Sequence, residues 1–75
     1  MAPVPILRTG EVVKTFDKFG WQVARQRGSH IILTKEGHPA TLSVPKHSEV
    51  ARGTLRSLIA TAGITVDEFL EALEE

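Results

Sequence analysis

Apolar residues recur along this chain with two different periods, and the changes of period divide it into elements. Val12, Val13, Phe16 and Phe19 fall at spacings of one, three and three, which lays a single apolar stripe along a helix over 10–19. Thr9 stands at the N-cap position, and Gly20 supplies a left-handed stop. Pro3 and Pro5 disfavour helix ahead of it, so residues 1–8 read as an extended lead-in. The runs 21–27 and 30–36 are rich in β-branched and aromatic residues and are separated by Gly28 and Ser29, the pattern of a hairpin with a two-residue loop. Glycine in the first loop position suits a type II′ turn.

A two-residue loop sets the register. Arg27 then faces His30, Arg25 faces Ile32, and these four side chains share one side of the sheet. Ala24, Ile31 and Leu33 point to the other side, which reads as the core face, although Trp21, Val23 and Ile32 break a clean alternation. After a turn at Gly37, His38 and Pro39, the alternation of Ala40, Leu42 and Val44 with Thr41 and Ser43 predicts a third strand that Pro45 ends. Leu55, Leu58, Ile59 and Ala62 mark a second helix closed by Gly63. Thr65 and Glu68 form a capping box for a short third helix, with Ile64 and Phe69 as its hydrophobic staple and Phe69, Leu70 and Leu73 as its buried side. The order α-β-β-β-α with a short terminal α predicts an α+β fold. Its three-stranded antiparallel sheet carries helices on one face and leaves the other free for a ligand.

Composition changes this picture little, and charge changes it more. Seventy-five residues make one domain, 1–75, with a small core, and 41% hydrophobic with 24% charged residues is ordinary globular composition. Without cysteine there is neither a disulfide framework nor a thiolate metal site, and no stretch reads as a secretory leader or a membrane span. The chain is therefore expected to be cytoplasmic. The net charge is zero, yet the charges are segregated: seven basic residues against Glu36 and Glu49 between Lys18 and Ile64, then five acidic residues and no basic one from Thr65 onward. A basic middle with an acidic end can bind a polyanion locally without making the whole molecule cationic.

The candidate chemistry lies in that basic middle. Arg25, Arg27, Gly28, Ser29 and His30 place an imidazole just past a tight turn, beside two guanidinium groups. Histidine exchanges a proton near neutral pH, and arginine forks bind phosphate oxygens in pairs. RNA carries its own nucleophile, the 2′-hydroxyl, so one positioned proton acceptor beside cations is enough to cut it. Lys46 and His47, directly after the third strand, are candidate RNA contacts, whereas His38 reads as solvent-facing turn chemistry. The histidine spacings of eight and nine residues match no metal motif, and the reading needs neither metal nor other cofactor. The N-terminus of the second helix, at Gly53 and Thr54, is a place where a phosphate can be attracted.

Gly20 with Trp21, the run from Arg25 to His30, Val44, Pro45 and His47, then Gly53, Thr54 and Leu55, with Ala62, Gly63 and Ile64 after them, resemble the HicA toxin family. The resemblance spans about Gly10 to Phe69 and rests on the order and separation of these pieces. It implies a fold like the double-stranded-RNA-binding domain and a metal-independent mRNA interferase held in check by a HicB-type antitoxin. It also places the family's catalytic histidine on His30, with Gly28 and Ser29 as its conformational setting. Arg25 and Arg27 are added from charge and register. The segment from Glu49 to Arg52 is less lysine-rich than is usual for the family. Two rival readings are a non-catalytic RNA-binding module of the same fold and a pure protein-interaction domain.

Overall fold

The computed structural model describes residues 3–75. The elements follow the expected order: α1 (Thr9–Asp17), β1 (Gln22–Arg27), β2 (His30–Thr34), β3 (Leu42–Pro45), α2 (Arg52–Ala62) and α3 (Val66–Glu74). The strands form one antiparallel sheet in the order β1-β2-β3, so the fold is α+β of the double-stranded-RNA-binding-domain type. Both α1 and α2 pack on the sheet, and α3 packs on α1 and α2. The acidic helix thus sits on the helical layer, away from the opposite face of the sheet. Lys18 ties it down by donating from Nζ to the Ala72 carbonyl at 2.5 Å, a cation at a helix C-terminus.

One core joins the layers. Val12 and Phe16 of α1, Leu55, Leu58, Ile59 and Ala62 of α2, and Phe69 of α3 bury against Leu33, Leu42 and Val44 of the sheet. The rings of Phe16 and Phe69 lie 5.0 Å apart in a tilted pair. The lead-in also enters the core, which its prolines do not foretell: Val4 and Leu7 are buried, Leu7 bridges Val50, and Arg52 Nε donates to the Val4 carbonyl at 3.0 Å. Arg52 is thereby a brace for the lead-in. In α3 the buried residues are Phe69 and Ala72, with Leu70 and Leu73 only partly covered.

Two local expectations are corrected. Thr9 is not the cap of α1, because Arg8 occupies the N-cap and its backbone N–H donates to the Glu11 carboxylate at 3.0 Å. Ala24 does not face Leu33, because a bulge between Val23 and Arg25 adds one residue to β1 and brings Val23 opposite Leu33. That extra residue is also why Trp21 and Val23 disturb the alternation, whereas Ile32 keeps its expected partner Arg25. The expected pairs Arg27 with His30 and Arg25 with Ile32 are present on the hairpin side of the bulge.

The capping box of α3 forms as expected, with Thr65 Oγ1 accepting from the Glu68 N–H at 3.0 Å and Glu68 Oε1 accepting from the Thr65 N–H at 2.8 Å. Thr65→Ala removes one half of it and is expected to cost about 1 kcal/mol. Urea denaturation checks this as a lower midpoint with an unchanged slope.

Candidate functional site

The open face of the sheet is built by register. Arg27, His30 and Pro45 form one rung across the three strands, and Arg25, Ile32 and Ser43 form the next rung on the same face. Directly opposite residues in such a ladder hold their Cβ atoms about 5 Å apart. His30 and both arginines are exposed. Among the described residues neither Arg25 nor Arg27 takes part in an intramolecular ion pair, so both guanidinium groups remain available to an anion. Ile32 is buried on this face yet lies outside the main core cluster, giving the rungs an apolar centre.

The hairpin tip fixes where the imidazole begins. Gly28 has φ +59° while Ser29 has no positive φ, the φ signature of a type II′ turn. A side chain at Gly28 would meet no neighbour, so glycine is required there by conformation alone. Gln26 Nε2 donates to the Gly28 carbonyl at 3.2 Å, and the Lys46 N–H donates to the Ser29 carbonyl at 2.7 Å. The second bond carries the ladder one step past Pro45. It joins Ser29 and His30 to the end of β3.

Of the residues expected at the site, the structure brings Arg25, Arg27 and His30 onto one face and sets Gly28 and Ser29 at its end. Lys46 falls on the other side. It lines a concavity of about 660 Å³ between α1 and the sheet, with Val13, Trp21, Val23 and Ile31. This apolar groove does not include His30. An extended polyanion binds along a surface and needs no such hollow. His47 is exposed, and its backbone is held at the start of α1. His38 lies in the turn as expected but is half-buried rather than fully solvent-facing: its ring lies 4.8 Å from that of Trp21, and its Nδ1 accepts the Ala40 N–H at 3.2 Å. It shapes the turn before β3. Among the described residues no group of three histidine, cysteine or carboxylate side chains comes together.

The feature that sequence reasoning missed is the use of Thr9. Its hydroxyl lies 2.7 Å from the Pro45 carbonyl and 2.8 Å from the His47 carbonyl, and it accepts the His47 N–H at 3.1 Å. A threonine just before a helical stripe reads the same whether it caps its own helix or fastens a distant strand. Only the buried state of Thr9, 8% exposed, separates the two uses.

No curated protein and no solved structure matches the chain. A family model does: the one described as HicA toxin of bacterial toxin-antitoxin matches residues 10–64. That span holds the whole sheet, α1 from its second residue and all of α2, and with them both arginines, His30, Lys46 and His47. With the match covering well over half of its length and an antitoxin partner implied by it, the chain belongs to the HicA toxin family, the toxin component of a bacterial toxin-antitoxin system.

Proposed function

We propose that this toxin is an endoribonuclease acting on mRNA, with His30 as its proton-transfer group. The observation that carries the reading is the rung that sets His30 opposite Arg27, with Arg25 on the same exposed face. An RNA phosphate docks against the guanidinium groups, which bind its non-bridging oxygens and stabilise the charge of the transition state. The His30 imidazole takes the proton of the adjacent 2′-hydroxyl, and the 2′-oxygen forms a new bond to phosphorus. The bond from phosphorus to the 5′-oxygen breaks, and that oxygen takes a proton from water. The products are a 2′,3′-cyclic phosphate and a 5′-hydroxyl, and the imidazolium returns its proton to solvent. No metal ion or other cofactor takes part in these steps. Gly28 and Ser29 hold the start of β2 for this chemistry. Lys46, on the helix side of the sheet, and His47, exposed just past β3, serve as secondary contacts for the strand that leaves the open face.

The partner that silences it is a HicB-type antitoxin, which covers the open basic face. The placement of α3 on the helical layer supports this over inhibition by the chain's own acidic end. The site of action is the cytoplasm, where mRNA is translated. Among the described residues no helix is long and apolar enough to cross a membrane.

Arg25→Ala and Arg27→Ala are each expected to weaken RNA binding and to reduce the salt dependence of affinity. For single-stranded RNA each lost phosphate contact lowers the slope of log affinity against log salt by about 0.7. Filter binding of a labelled oligonucleotide across a salt series measures this. An unchanged slope in both variants would place the phosphate elsewhere. A non-catalytic RNA-binding module would show the same slopes and leave the RNA intact, so product analysis on the same samples separates the two readings.

A further inference from the structure

We infer that Thr9 is a positioning residue for His30, an assignment that rests on the ribonuclease reading above. Thr9 opens α1, yet its side chain is spent 36 and 38 residues away on the backbone of Pro45 and His47. A hydroxyl has one proton and two lone pairs. Its proton therefore serves the Pro45 or the His47 carbonyl at any moment, while the oxygen accepts the His47 N–H, so Thr9 clasps both sides of Lys46.

That clasp leads directly to the imidazole. Pro45 is the register partner of His30, and the Lys46 N–H holds the Ser29 carbonyl at 2.7 Å. His30 and Pro45 form a non-hydrogen-bonded rung, where a proline in an edge strand costs no ladder bond, so the bond from Lys46 to Ser29 is what ties this strand end to the hairpin tip. β3 is an edge strand, and past Pro45 the backbone of Lys46 bonds to Ser29 and that of His47 to Thr9. Thr9 anchors this strand end to the rigid start of α1 and thereby fixes Ser29 and His30 from behind. A displacement of about 1 Å at a reacting group can cost on the order of 100-fold in rate.

The test uses the full chain with Thr9→Val, which keeps the shape of the side chain and removes the hydroxyl, and Thr9→Ser, which keeps the hydroxyl. Thr9→Val is expected to lower kcat for RNA cleavage by roughly 10- to 100-fold with little change in KM, and Thr9→Ser is expected to restore most of the rate. A folded Thr9→Val with the wild-type kcat would overturn the inference, as would a Thr9→Ser as slow as Thr9→Val. Amide hydrogen exchange on the wild-type chain tests the clasp even if Thr9→Val does not fold. Slow exchange at the His47 amide, which donates to Thr9 Oγ1, supports it, and exchange as fast as in an open loop would overturn it. His30→Ala run alongside keeps the two readings apart. If His30→Ala cut RNA at the wild-type rate, both would fall, whereas an inactive His30→Ala beside an unimpaired Thr9→Val would remove the positioning role alone.

Discussion

His30→Ala is expected to lower RNA cleavage by about 10²- to 10⁴-fold, the range for losing one positioned acid or base, while the chain stays folded and still binds RNA. The fold survives because His30 is exposed, belongs to no part of the core cluster, and contributes its backbone to the ladder whatever its side chain is. Binding survives because Arg25 and Arg27 remain on the same face. The measurement is single-turnover cleavage of a labelled RNA by purified wild type and variant, with circular dichroism to verify the fold. Growth of cells expressing the variant reads the same difference, since a toxin that no longer cuts no longer stops translation. A variant that binds as wild type and cuts about as fast would remove His30 from the chemistry.

Phe16→Ala has the largest expected effect on stability. Phe16 is fully buried, its ring meets that of Phe69, and it lies where α1, the sheet and α3 share one core. Truncating such a ring costs about 3–5 kcal/mol, through lost transfer energy and the cavity left behind. A domain of this length has roughly 4–11 kcal/mol of stability in total. The substitution therefore removes a large share of it, and the melting temperature is expected to fall by at least about 12 °C. Thermal denaturation followed by circular dichroism checks this. A fall of under about 5 °C would mean that the α1–α3 junction repacks and that the single core described above is not the unit that holds the fold together.

Much of the fold was legible in the residues because local signals agreed with the global arrangement. The α2 stripe of Leu55, Leu58, Ile59 and Ala62 is buried residue for residue, and Gly63 closes the helix in the left-handed conformation. The hairpin register followed from loop length, which is why the Arg27–His30 and Arg25–Ile32 pairs were readable without any structure. The part that failed did so for a physical reason. A bulge is a one-residue event, and an alanine at position 24 carries no mark that distinguishes an inserted residue from a paired one.

The candidate site divides in the same way. Arg25, Arg27 and His30 share a face because strand periodicity is strict, and periodicity can be read in one dimension. Lys46 lies two residues beyond Val44, whose side chain faces the core, so its placement on the helix side obeys the same alternation carried past Pro45. The Thr9 clasp, the Trp21–His38 ring contact and the burial of Val4 join segments far apart in sequence. Such contacts depend on how the layers close, and no local pattern encodes them. The charge count was a guide only in bulk: Arg52 belongs to the basic middle by composition and to the lead-in brace by contact.

One measurement bears most directly on the claim that this sheet face turns the RNA's own 2′-hydroxyl against its backbone. Wild-type protein is incubated, in the presence of a metal chelator, with an RNA whose cut position has been mapped and with the same RNA carrying a single 2′-deoxy nucleotide at that position. The account predicts cutting of the first, with a 2′,3′-cyclic phosphate at the new end, and no cutting of the second at that position although both bind equally. Cutting of the deoxy-substituted strand at the same position would contradict it.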